Sequence, residues 1–144
     1  MKRRSIPKIM FWTYLVALLY VLLFAERNVD GLNGYNTELL AEIRRYIQYR
    51  EVLGIKLVIQ NLLGNVAGFI PFGILLPEVN QRYQQLWRTV WTIAAFSLTI
   101  EIFQFLTGVG CFDVDDVLLN AIGGMLGYLF RRGILGLGKK YGKE

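Results

Sequence analysis

The sequence predicts an all-α integral membrane protein, a four-transmembrane-helix bundle with an amphipathic helix in its first outer loop. Three observations predict it. The 144 residues are 54% hydrophobic and 14% aromatic, with a mean hydropathy of +0.39, too apolar for a soluble domain of this size. Four apolar runs, each near the roughly 20 residues a crossing needs, use up the chain together with their connectors. Polar side chains within the last three runs recur at helical spacing, so each of these runs carries one polar stripe. A single unit over residues 1–144 follows, with no room for a second domain.

The formal charge of +5, from 16 Lys and Arg against 11 Asp and Glu, is modest. In a membrane protein such an excess marks cytoplasmic flanks, so membrane lipids are expected as neighbours and nucleic acid is not. The single cysteine, Cys111, has no internal disulfide partner. The chain has no histidine, which removes the commonest general base and the commonest transition-metal ligand.

The first run, about residues 9–25, follows Lys2, Arg3, Arg4 and Lys8. It reads as a retained signal anchor rather than a cleaved signal peptide. The run is long, Leu23–Phe24–Ala25 is a poor small-residue cleavage site, and three further spans follow. The loop 26–54 contains a turn at Asn33–Gly34. From Asn36 onward, Leu39, Leu40, Ile43, Tyr46 and Ile47 alternate with charges in the pattern of an amphipathic helix. A plain connector and a functional lid both fit that pattern.

The second span, about 55–76, aligns Asn61, Gly64, Asn65 and Gly68 on one face, with Pro71 as a kink signal and Pro77 closing the run. Gly64 and Gly68 form a GxxxG pair, which permits close helix contact. The third span, about 87–107, opens with Tyr83, Trp87 and Trp91 suited to the interfacial belt. Its polar stripe, Ser97, Glu101, Gln104 and Gly108, lies in its last half. A short connector leads to the fourth span, about 114–130, where Asp113, Asp116, Asn120, Gly123 and Gly127 recur on one face and Gly123–Gly127 is a second GxxxG. The remainder, 131–144, is glycine-rich and basic and reads as a mobile tail near anionic headgroups. Oligomerisation through the glycine faces stays open, because the bundle itself also needs them.

Counting cations orients the bundle. With both termini cytoplasmic, Lys2, Arg3, Arg4, Lys8, Arg82, Arg88 and the five tail cations lie inside, eleven of 16 basic residues. Arg27, Arg44, Arg45, Arg50 and Lys56 lie outside, so the positive-inside rule favours N-in and C-in. The polar stripes of spans two, three and four then meet at one side, the outer one.

That side gathers the candidate site: Asn61, Asn65, Glu101, Gln104, Asp113, Asp115, Asp116 and Asn120. Ionisable groups are expensive in hydrocarbon and usually face an interior or a water-filled cavity. No lysine or arginine lies within the apolar bodies of these spans, so the carboxylates must share protons or attract a cation. Mg²⁺ or Ca²⁺ suits such all-oxygen donors, with Glu101, Asp113 and Asp116 as ligands if any metal binds. Three readings compete. An enzyme would use Glu101 and Asp116 as acid and base on a lipid-linked or cell-wall substrate. A binder would use Asn61, Asn65, Gln104, Asp113 and Asn120 as ligand contacts. In a purely structural reading, Asp113 or Asp115 caps the fourth span and the amides join helices. Whether the protein is an enzyme is undecided at this point.

The stretches NLLGNVAGFIPFGILLPE (Asn61–Glu78), EIFQ (Glu101–Gln104) and DVDDVLLNAIGGMLGY (Asp113–Tyr128) together resemble the VanZ-like membrane proteins. The resemblance covers spans two to four, more than half the chain. It implies a small multi-pass bacterial protein of the cell envelope, linked to resistance against teicoplanin, a lipoglycopeptide antibiotic that acts on cell-wall precursors. Position by position, it carries over Asn61, Asn65, Pro71, Gly73, Glu101, Gln104, Asp113, Asp116, Asn120 and Gly124. The partners it implies are a lipid-linked cell-wall precursor or the lipoglycopeptide itself.

Overall fold

The computed structural model describes residues 5–24, 35–108 and 110–141. The Asn33–Gly34 turn and the basic residues Lys2, Arg3 and Arg4 lie outside them. The described chain is almost wholly helical. In order it comprises α1 (Ser5–Phe24), a two-residue strand β1 (Tyr35–Asn36), α2 (Ala41–Gln48), α3 (Arg50–Leu53), α4 (Ile55–Val79) and a 3₁₀ turn (Gln81–Gln84). Then follow α5 (Leu86–Thr107), β2 (Phe112–Asp113) and α6 (Val114–Tyr141).

Among the described residues, three helices are long and apolar enough to cross a membrane: Ser5–Phe24, Val58–Val79 and Leu86–Thr107. Much of their apolar surface faces outward. Ile9, Trp12, Val16 and Tyr20 on α1, and Trp87, Trp91, Phe105 and Leu106 on α5, are all exposed. Apolar surface on this scale needs a lipid solvent, so this is a membrane protein. The expected fourth span corresponds to part of α6, which does not reach the same apolarity.

α6 nonetheless makes the most extensive helix packing, along α4 and then α5, while α1 packs on α4. The α4–α6 crossing is a backbone contact. A methyl group added at Gly73 would strike the carbonyl of Gly124, one at Gly123 the carbonyl of Val66, and one at Gly127 the carbonyl of Ile70. The Gly123–Gly127 pair is therefore the seam between helices, as small-residue packing predicts. The Gly64–Gly68 pair is not such a seam. Nothing lies within 4 Å of a methyl group built at Gly64, and Gly68 has only an ordinary contact with Leu18 at 3.8 Å.

An aromatic core fills the space between α1, α4 and α5. Phe72 stands edge-on to Phe11 at 5.3 Å and to Phe96 at 5.2 Å between ring centroids, and Phe69 stacks on Phe72 at 6.0 Å. Ile93 and Leu76 complete the buried cluster. Tyr14 donates its hydroxyl to the Gly68 carbonyl at 2.6 Å, which answers the polar end of an otherwise apolar α1 side chain.

Two boundaries differ from expectation. Pro77 does not close the second span; α4 runs through both Pro71 and Pro77 to Val79. Each proline removes one helical N–H, and the packed neighbours on α1, α5 and α6 hold the helix together across the gaps. The segment after Phe130, expected as a mobile tail, continues α6 as helix to Tyr141. It is anchored at its start, where Arg131 pairs with Glu78 at 2.7 Å and Tyr128 donates to the Gln84 carbonyl at 2.5 Å.

Candidate functional site

The end of the bundle where α4 begins, α5 ends and α6 begins is built by side-chain carboxylates. α5 stops at Gly108, which adopts the left-handed conformation (φ 67°) and returns its N–H to the carbonyls of Gln104 and Phe105. The chain then crosses to β2, which pairs in parallel with β1, placing Tyr35 beside Phe112 and Asn36 beside Asp113. Asp113 is the N-cap of α6. Its Oδ1 accepts the Asp115 N–H at 2.8 Å, and Asn36 Nδ2 donates to the same oxygen at 2.9 Å. Beneath this turn Glu101, buried in α5, accepts the backbone N–H of Asp113 at 3.0 Å through Oε2.

Asp115 is 1% exposed and belongs to a different cap. Its Oδ1 accepts the Leu40 N–H at 2.5 Å, and its Oδ2 accepts the N–H groups of Glu42 at 2.9 Å and Ile43 at 3.2 Å. These are first-turn donors of α2, which no residue of its own segment satisfies. Leu40 occupies the cap position with a left-handed backbone (φ 68°) and offers no side-chain acceptor. The carboxylate thus caps a helix more than 70 residues away in sequence and meets the positive end of its dipole.

Asp116, the next residue, accepts from Asn65 Nδ2 of α4 at 2.5 Å, and Asn61 Nδ2 donates to the Tyr46 hydroxyl of α2 at 2.9 Å. Between them lies a small cleft lined by Glu42, Ile43, Tyr46, Asn61, Leu62, Asp115, Asp116 and Leu119. Its free space amounts to about one water molecule. Burial raises the Glu42 carboxyl above its ordinary value; Arg45 beside it opposes this, and Asp113 and Asp115 add to it. Burial likewise raises the Tyr46 phenol and the Asp113 carboxyl, in the latter against the hydrogen bonds from the Asp115 N–H and Asn36.

The structure divides the residues expected to act together. Asn61 and Asp116 border the cleft with Asp115, Asn65 stands behind it as the donor to Asp116, and Asp113 and Glu101 hold the connector. Gln104 is buried but turns to α1, donating to the Leu22 carbonyl at 2.8 Å. Asn120 lies inside the bundle, 3% exposed, donating to Ser97 Oγ at 2.7 Å, with no hydrogen-bond partner at its Oδ1. Glu42, Tyr46 and Asn36 were not expected at the site; their only signal was membership of the loop helix and of the asparagine beside it. The helix itself starts later than its pattern suggested. Leu39 and Leu40 precede it, and they and Ile47 are exposed, so Ile43 and Tyr46 alone of the expected stripe are partly buried. Among the described residues, no three Asp, Glu, His or Cys side chains gather as a metal ion requires. The set Glu101, Asp113 and Asp116 does not fit Mg²⁺ or Ca²⁺ as arranged here.

Fold and site together define a helical membrane protein whose connector end is closed by a carboxylate-capped loop segment. The chain belongs to the VanZ/LLP1 family, whose model matches residues 11–135. It is 32% identical over 117 residues to Protein VanZ of Enterococcus faecium, across 79% of this chain and 66% of that protein. The match thus spans just under two thirds of that relative's length. No solved structure matches the chain.

Proposed function

We propose that the chain is a multi-pass protein of the bacterial cell membrane, N-in and C-in, that lowers susceptibility to teicoplanin-type lipoglycopeptides by binding an extracellular ligand at its acidic cleft. The single observation that carries this reading is the convergence of Glu42 and Tyr46 from α2, Asn61 from α4 and Asp116 from α6 on one cleft. The excess of basic residues toward the opposite end supports an outward-facing cleft. α6 serves as the fourth span: its 28 residues, at 1.5 Å each, exceed a hydrocarbon core of about 30 Å, and Leu126, Leu129 and Phe130 give it an exposed apolar face. The ligand is a lipid-linked cell-wall precursor or the lipoglycopeptide itself.

Binding is favoured over chemistry because the carboxylates are engaged in holding backbone: Asp115 takes three N–H groups, and Asp113 and Glu101 one each. A second reading, modification of a surface lipid or cell-wall intermediate with Glu101 and Asp116 as acid and base, draws on one observation. Glu101 is a carboxyl 5% exposed within an apolar helix, a costly arrangement that function often explains. The test is teicoplanin susceptibility of a sensitive Gram-positive host carrying wild type, Asp116→Asn or Glu101→Gln, with membrane levels matched. Protection by wild type and its loss in Asp116→Asn supports the cleft. Full protection by Asp116→Asn removes the cleft from the function.

A further inference from the structure

We infer that the segment Tyr35–Leu53 is a lid over the cleft, hinged at Gly54 and latched by Asp115, which makes Asp115 the positioning residue of the site. Four observations carry this. The cleft has room for about one water, so no cell-wall precursor or antibiotic enters while α2 stays docked. Neither α2 nor α3 contains a fully buried residue, so apolar packing holds the segment only weakly. Among the described residues, the hydrogen bonds that attach it are few: the three N–H bonds to Asp115, the Asn36–Asp113 bond with its two-residue strand pair, and the Tyr46–Asn61 bond. Local openings draw on such thinly packed elements.

The fourth observation is backbone conformation at the latch and the hinge. Leu40 is the one described non-glycine residue at positive φ, and it is held there with its N–H on Asp115 Oδ1. Its carbonyl also accepts the Arg44 N–H at 2.9 Å within α2, so the Asp115 contact is the hydrogen bond that ties this strained cap to α6, and losing it frees the cap from the bundle. At the other end, Gly54 (φ 83°) joins α3 to α4 with nothing within 4 Å of where a side chain would stand. A joint with free space around it and glycine's conformational range can turn without displacing neighbours. The same three walls of the cleft that α2 supplies, Glu42, Ile43 and Tyr46, leave with it when the lid lifts.

The inference rests on the proposed function only for what the lid admits; the latch is tested without any antibiotic. Full-length protein with Cys111→Ser and Ile43→Cys is treated in membranes with a membrane-impermeant maleimide, with and without Asp115→Ala or Asp115→Asn. Loss of three charge-assisted hydrogen bonds is expected to speed labelling roughly tenfold or more in Asp115→Ala, and less in Asp115→Asn, which keeps one acceptor. Leu40→Gly, which relieves the backbone, is expected to slow it. Equal labelling in all variants that reach the membrane overturns the latch. A second measurement covers a failure of Asp115→Ala to fold. With Cys111→Ser, the pair Tyr35→Cys and Phe112→Cys sits across the strand pair, at a spacing suited to a disulfide. Oxidation is expected to abolish protection from teicoplanin and reduction to restore it. Unchanged protection after complete oxidation overturns the lid while leaving the proposed function standing, whereas no protection even from wild type overturns the proposed function and leaves the labelling result as the measure of the lid.

Discussion

The two glycine pairs carry the same local pattern but stand in opposite surroundings, so one substitution should have opposite signs at the two sites. At Gly123 an alanine methyl would lie 2.9 Å from the Val66 carbonyl carbon and nearer still to its oxygen; at Gly127 it would lie 2.9 Å from the Ile70 carbonyl carbon. Both obstacles are backbone of α4, which has no rotamer to change, so α6 must back away along the seam. Overpacking of this kind costs about 1–3 kcal/mol per site, and neighbouring sites on one seam should couple rather than add. At Gly64 the methyl meets nothing within 4 Å, and the helix gains about 0.8–1 kcal/mol of propensity. Thermal unfolding of the purified full chain in detergent reads the difference. With roughly 2–4 °C per kcal/mol for a chain of this size, Gly123→Ala should lower the midpoint by about 2–12 °C and Gly64→Ala raise it by about 2–4 °C. Equal losses at Gly64 and Gly123 would show that the seam has been misplaced.

Two further outcomes follow from individual side chains. Burial raises the Glu42 carboxyl, so the native state binds its proton more tightly than the unfolded chain does; that contribution improves stability as pH falls toward the ordinary value of 4.5 and is absent in Glu42→Gln. Between pH 7 and pH 5, the midpoint of wild type should therefore rise relative to that of Glu42→Gln, and parallel curves would contradict the shift. Asn120 keeps one buried oxygen without a partner, so removing it together with Ser97 leaves no orphan behind. The double variant Asn120→Leu with Ser97→Ala should match or exceed wild-type stability in the same melt, whereas Ser97→Ala alone, which strands the amide, should cost about 1–3 kcal/mol; a double variant less stable than Ser97→Ala would refute this account.

Helical periodicity made much of the bundle legible before any contact was known. The expected third span, 87–107, corresponds to α5 at Leu86–Thr107, and its stripe of Ser97, Glu101 and Gln104 is buried on one face. Spacing also brought Asn65 and Asp116 to the same end, where they bond. The errors were of another kind. Pro77 reads locally as a stop, yet α4 passes through it within a helix packed on α1, α5 and α6. The glycine-rich stretch after Phe130 reads as tail, yet it stays helical beyond an Arg131–Glu78 pair that lies 53 residues apart in sequence.

By itself, the sequence determined what local chemistry can determine: the apolar runs, the faces on which polar residues recur, and the VanZ-like arrangement of those residues. Only the tertiary structure decided which glycine pair is a seam and which carboxylate serves which helix. Gly64–Gly68 and Gly123–Gly127 are the same motif, and the difference is whether another backbone lies against them. Asp113 and Asp115 sit two residues apart, yet one caps its own helix and the other caps α2 across 72 to 75 residues of chain. A hydrogen-bond acceptor shows in its residue type that it needs donors; which donors it finds depends on where folding brings the rest of the chain.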